Sequence, residues 1–234
     1  MTFHLFPHLA ESRFVEVNLD EQARIRQERA PRLESPNKTN PFLDPAICDR
    51  FVSEVAREFE ADYTYGGYLE DRRFLWNTSY LDTTGSYLHL GVDFNVPQHT
   101  QVTALFSGKV VRIDDDYDLE GGWGPRIIIE PAPRHGETLP YCIFAHLFSP
   151  QVKVGDNVVE GAVLATVGGA PYNGNWFPHL HIQTVESGLF QTLLKDDLRA
   201  LDGYGHERDR SQLLNSFPDP LQCPWLVGST FCRR

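Results

Sequence analysis

Between residues 88 and 186 apolar and polar residues alternate in short runs, most of them ended by Gly, Pro, Ser or Asn. Runs at 102–106 and 108–113 flank a Ser107-Gly108 turn. Those at 126–130 and 141–147 are joined by a loop carrying Pro131, Pro133 and Gly136. Residues 152–159 and 163–167 are split by Gly161, and 180–185 closes the set. Period-two runs with regular turn residues predict short antiparallel strands. Upstream the period lengthens. Ile47, Phe51, Val52, Val55 and Phe59 recur at helical spacing behind Asp44, a good N-cap, and Pro45, a good first helical residue. A helix is therefore expected over about 45–60. Residues 14–19 predict a short strand and 20–29 a polar helix. The rest of 1–43, with Ser35-Pro36-Asn37-Lys38 and Asn40-Pro41, reads as an arm that packs on something else.

The expected fold class is α+β and β-dominated: an antiparallel β-sheet core with an N-terminal helical extension and a C-terminal helix and loop extension. The divisions expected are 1–75, 76–190 and 191–234. The length of 234 residues, 41% of them hydrophobic, suffices for one sizeable core with decorations. No internal repeat or low-complexity tract interrupts it. The Asp114-Asp115-Asp116 run is expected to be a solvated loop.

Charge narrows the partners. With 32 acidic and 21 basic residues the net charge is −11, which repels nucleic acid and anionic membranes. No stretch approaches the ~20 apolar residues of a membrane span. Residues 1–8 lack a basic region and an apolar run, so with Met1 as the true start the protein is expected to be cytoplasmic; a trimmed start would leave the periplasm or exterior open. Cys48, Cys142, Cys223 and Cys232 show no zinc-knuckle spacing. Cys142 is expected to be a buried thiol. A Cys223–Cys232 bond is sterically conceivable from sequence but disfavoured in a reducing compartment.

Chemistry enters with three segments: His89-Leu90-Gly91-Val92-Asp93, Ala145-His146-Leu147 and Phe177-Pro178-His179-Leu180-His181. On an extended strand, residues two or four apart share a face. His179 and His181 would then point one way, as would His89 and Asp93, with Gly91, Val92 and Pro97 arguing for extended chain. Hydrolytic zinc sites use three protein ligands and leave one position open. His89, Asp93 and one member of the His179/His181 pair would supply them, and the other member and His146 would stand beside the open position. A lone His-x-His carries little information, but four histidines and an aspartate in apolar strands carry much more, because each would be costly to bury without a partner, about 1–3 kcal/mol. His4, His8, His99, His135 and His206 sit in loop-like contexts and are expected to be structural. The aromatic segment 63–87 is expected to be mainly packing, with some of it lining a cleft.

His89-x-x-x-Asp93, Phe144-Ala145-His146-Leu147 and Pro178-His179-Leu180-His181 resemble the three signatures of the M23 metallopeptidases, the lysostaphin and LytM-type peptidoglycan endopeptidases. Val102-Thr103-Ala104 with Ser107 to Val111, and the Gly-Asp hairpin within 152–161, extend the resemblance over about 85–186. Phe144 stands where the family usually has Tyr, and the loop 168–177 replaces the approach to His-Leu-His common in the secreted enzymes. The segment 68–73 resembles an Arg-bearing approach loop of M23 domains without secretion signals; surface salt bridging is the other reading. The resemblance implies a β-sheet core with a cleft along one sheet, one zinc ion per chain held by His89, Asp93 and His181, and His146 and His179 as the catalytic histidines. It implies a zinc metallopeptidase acting on a peptide or muropeptide. The alternatives are a non-catalytic binding or regulatory module of the same fold, and a biotinyl- or lipoyl-type carrier. A carrier needs a lysine at a hairpin tip, and none of Lys38, Lys109, Lys153 and Lys195 sits at one.

Overall fold

The computed structural model describes residues 5–29, 40–133, 138–195 and 201–223. Its helices are α1 (Leu19–Arg29), α2 (Pro45–Glu58), α3 (Leu81–Thr84), α4 (Ser187–Lys195) and α5 (Arg210–Ser216). Its strands are β1 (Phe14–Glu16), β2 (Tyr63–Gly66), β3 (Leu88–His89), β4 (Val92–Asn95), β5 (Gln101–Thr103), β6 (Gly108–Asp116), β7 (Gly124–Pro131), β8 (Tyr141–Ala145), β9 (Leu147–Phe148), β10 (Asn157–Val158), β11 (Val163–Val167), β12 (Leu180–Val185) and β13 (Tyr204–Gly205).

The framework is an eight-stranded sheet in the order β1-β2-β4-β12-β8-β7-β6-β10, with a three-stranded sheet β5-β11-β9 and a two-stranded β13-β3 beside it. All pairings are antiparallel except β1 with β2. The β-dominated α+β expectation therefore holds. The Ser107-Gly108 turn separates strands of different sheets, since β5 pairs with β11 and β6 with β7. Residues 114–116 are not a loop. They finish β6, where the Asp114 carboxylate is neutralised by Arg126 on β7 and by Arg112. Ion pairing across the strands lets an acidic run stay extended.

Alternation along the central strands separates core from site. Val92 and Phe94 of β4 and Leu180 and Ile182 of β12 enter the main apolar core, with Val110, Ile127, Phe144 and Leu164. Asp93 and His181 therefore face the opposite side of the sheet. The N-terminal extension has its own core. Helix α2, capped by the Asp44 carboxylate on the Ala46 and Ile47 amides, buries Cys48, Phe51, Val52 and Val55 against Leu19, Leu75, Trp76 and Phe177. A third cluster gathers Leu90, Ile143, Ala145 and Val185 under Phe190 and Leu201 of the C-terminal extension. Both extensions thus border the same side of the sheet. Cys142 is fully buried, as expected, and Cys223 is also buried, its thiol donating to the Asp219 carbonyl. Cys232, like His4, His135 and the 35–38 turn, lies outside the described residues.

Candidate metal centre

Sheet register brings the donors together. His181 on β12 stands opposite Asp93 on β4 and, on its other side, opposite Ala145 at the end of β8. His146 follows directly and is not part of a continuous strand as the sequence suggested. It adopts a left-handed backbone, φ 58°, that separates β8 from β9. Its amide donates to the Trp123 carbonyl at 2.9 Å, and its carbonyl accepts from the Gly168 amide at 2.8 Å. Such a conformation costs on the order of 1–3 kcal/mol in a residue other than glycine, and it persists here because two backbone bonds fix it. His89 and Asp93 also do not share one strand. Leu90 and Gly91 carry the chain from β3, paired with β13, into β4. Gly91 is required at the crossing, because a Cβ there would lie 2.5 Å from His181 Cε1 and 2.6 Å from the Ile182 carbonyl oxygen.

The five predicted side chains converge in one cleft that opens to solvent. His89 Nε2 lies 3.1 Å from His181 Nδ1, which lies 2.9 Å from Asp93 Oδ1, and Asp93 Oδ2 is 3.5 Å from His89 Nε2. Ligand atoms of these three residues all fall within 4.8 Å of one another. His179 Nε2 stands 3.9 Å from Asp93 Oδ1, and the His146 ring centroid is 4.4 Å from that of His179.

Hydrogen bonding behind the rings fixes which nitrogens carry protons. His89 Nδ1 is 3.0 Å from the Gly67 carbonyl oxygen, which only accepts, so the proton is on Nδ1 and Nε2 is bare. Gln183 donates its amide nitrogen to the Asp202 carbonyl at 3.0 Å, so its Oε1 accepts from His181 Nε2 at 3.1 Å and His181 Nδ1 is bare. His179 Nδ1 donates to the Phe177 carbonyl at 2.8 Å, leaving Nε2 bare. Three lone-pair atoms, two nitrogens and a carboxylate oxygen, therefore meet with no proton among them. Buried acceptors at such distances could share a cation, and the donor set of two imidazoles and one carboxylate suits zinc. His146 Nδ1 is buried with no hydrogen-bond partner among the described residues.

Electrostatics agrees with that arrangement. Burial, then the Arg72 charge, holds His89 well below the usual imidazole range. Burial and the neighbouring imidazoles do the same for His146, and burial lowers His179. Burial opposes ionisation of Asp93, but His89, Arg72 and His179 outweigh it and keep its carboxyl well below the ordinary carboxylate range. In each case the unfolded chain binds more protons than the folded one, so stability is full above the unfolded values and falls with pH below them. The metal-free protein should lose unfolding free energy as pH drops below about 6.5, where unfolded histidines protonate. Denaturant titrations at fixed ionic strength across pH 5–8 check this; a flat profile contradicts the buried-neutral assignment.

The residues that sequence reasoning missed lie outside the three motifs. Gly67 supplies the carbonyl for His89, and Gln183 that for His181. Arg72, in the 68–73 segment likened above to an Arg-bearing approach loop, was not singled out as a site residue; it is buried, unlike its exposed neighbour Arg73, and places Nη1 2.5 Å from Asp93 Oδ2. Tyr204 of β13 sits with its ring 5.2 Å from that of His89, and burial pushes its hydroxyl up to about 12, so it stays neutral. The aromatic segment divides as expected, with Trp76 and Tyr80 lining the cleft beside Trp123 and Trp176. Only the Gln183 spacing, two residues beyond His181 on the same strand face, offered a sequence signal for its partner; Gly67 and Tyr204 offered none.

The model of peptidase family M23 matches residues 87–191. Lysostaphin of Staphylococcus simulans is 30% identical over 119 residues, 51% of this chain and 22% of lysostaphin. The glycyl-glycine endopeptidase ALE-1 of Staphylococcus capitis is 29% identical over 131 residues, 55% of this chain and 34% of that protein. The chain therefore spans between a fifth and about a third of the length of these curated relatives. Among solved structures, the catalytic domain of lysostaphin from Staphylococcus simulans is 32% identical, with 42% of this chain covering 68% of that domain at a TM-score of 0.34. The match coincides with the segment that carries all five converging side chains, and residues 87–191 form a domain of the peptidase family M23 type.

Proposed function

We propose that this protein is a zinc-dependent metallopeptidase that hydrolyses amide bonds of short peptides, peptidoglycan-type peptides included. The observation that carries the reading is the convergence of His89 Nε2, His181 Nδ1 and the Asp93 carboxylate with no proton left between them. In this reading those three residues hold one zinc ion per chain. Zinc, when bound, polarises a carbonyl and acidifies water to a pKa near 7. His179 is anchored through Nδ1 to the Phe177 carbonyl, which leaves Nε2 to take a proton from the attacking water. His179 then returns that proton to the leaving amine, and His146, with an unpartnered Nδ1 beside it, donates a hydrogen bond to the developing oxyanion. Trp76, Tyr80, Trp123 and Trp176 line the cleft and offer apolar walls to a bound peptide.

The test pairs metal content with cleavage. Protein purified without chelator should carry close to one zinc per chain by elemental analysis. It should cleave members of a panel of cross-linked muropeptides, oligoglycines and short peptides, lose that activity to a chelator and regain it with zinc. Sub-stoichiometric zinc with no cleavage would favour the non-catalytic module.

A further inference from the structure

Among the described residues the Arg72 guanidinium is the one cation bonded to the donor set, and nothing about a zinc ligand requires it. It comes from outside the family match, yet it is held with the precision of a site residue. Its amide donates to the Tyr87 carbonyl, and its carbonyl accepts from the Trp76 amide. Glu70 and Leu69, on either side of one turn, bond the backbone of His89. Asp71 bridges to Leu88. The segment 69–72 is thus laced to the strand that bears His89. The guanidinium fits because residue 67 is glycine at φ 98°, where a Cβ would stand 2.0 Å from Arg72 Nη2. Glu70 Oε2 lies 3.7 Å from Arg72 Nε, and its other oxygen accepts from the Asp20 amide at 2.7 Å. Burying a guanidinium without full pairing is costly, so this placement calls for a reason.

We infer that Arg72 is a positioning residue of the metal centre: by binding Asp93 Oδ2, the oxygen 3.5 Å from His89 Nε2, it leaves Oδ1, 2.9 Å from His181 Nδ1, as the one carboxylate oxygen without a cationic partner, and its charge keeps the bound ion electron-poor. This rests on the zinc reading above. A carboxylate free to offer both oxygens can fill the position that a hydrolytic site must keep open. Arg72 prevents that by occupying one oxygen with a charge-assisted bond. Its positive charge also opposes the ion electrostatically, trading binding strength for a stronger Lewis acid.

The sign of the effect separates this role from a merely structural one. Arg72→Met removes the charge and frees Oδ2. Zinc should then bind at least about tenfold more tightly, the scale at which groups behind metal ligands act, while turnover falls. In the cobalt-substituted protein the visible absorption should weaken, because cobalt with more than four ligands absorbs less strongly than tetrahedral cobalt. Arg72→Lys keeps the counter-charge that Asp93 needs, and so remains informative where the Met variant does not fold. It should keep zinc affinity within about threefold of the parent yet show the weaker cobalt band, since an ammonium on a flexible stem is a mobile point charge that does not hold Oδ2 in one place. Affinity is read by competition with a chromophoric chelator, independently of any substrate. Zinc that binds Arg72→Met more weakly than the parent, or a cobalt spectrum unchanged in both variants, overturns the inference. Parent protein that takes up no zinc at all instead overturns the metallopeptidase reading on which it stands.

Discussion

Replacing His181 by alanine should remove zinc and activity together. His181 is the hub of the cluster: Nδ1 meets both His89 Nε2 and Asp93 Oδ1, and Nε2 is held by Gln183. Without it, two donors remain where a hydrolytic zinc site needs three. The loss should exceed the 10–100-fold typical of groups that only support ligands. Gln183 Oε1, wholly buried, would also lose its donor, at about 1–3 kcal/mol. The variant should therefore melt lower and be stabilised less by added zinc. Elemental analysis of folded His181→Ala, with circular dichroism to confirm the sheet, is the check. Stoichiometric zinc in that variant would remove His181 from the ligand set.

Replacing His146 should leave zinc in place and cost turnover by roughly 10²–10⁴-fold, the range of general acid–base assistance. His146 makes no contact with Asp93 or His89 as short as those among the three ligands, and it reaches the site beside His179. Its left-handed backbone complicates the alanine variant, because alanine pays for φ 58° without a compensating role. Asparagine tolerates that conformation well and is the better companion substitution. Both variants should bind zinc like the parent, with kcat reduced more than KM is raised. If His146→Ala strips the metal while His146→Asn also does, His146 belongs among the ligands and the assignment of bases must be exchanged.

How much of this was legible in the chain depends on the distance over which each feature is decided. Strands β11 and β12 match their expected bounds of 163–167 and 180–185, because turn residues and alternation are local signals. The helix over 45–58 was legible for the same reason, from Asp44, Pro45 and the apolar spacing. The convergence of histidines in three apolar segments was visible as a set. Other features were not. The break at His146 depends on the Trp123 and Gly168 backbone, and no glycine marks it. The switch of sheets between His89 and Asp93 depends on pairing with Tyr204, more than a hundred residues later. The acidic end of β6 is extended because Arg126 answers it from the neighbouring strand, a fact of register rather than composition. For Arg72 the sequence left two readings, an approach-loop arginine and a surface salt bridge, and the backbone decides between them by turning Arg72 inward and Arg73 out.

The Gly67 and Arg72 contacts have a consequence for how this chain can be divided. Residues 87–191 contain every side chain of the donor set, so a fragment cut there would look complete on paper. It would lack the carbonyl that selects the His89 tautomer and the counter-ion of Asp93, and the Tyr204 backbone that pairs with His89. Domain transplantation at the family boundary would carry the donor set and leave behind what orients it; in this chain the segment that holds both begins before Gly67 and ends after Gly205.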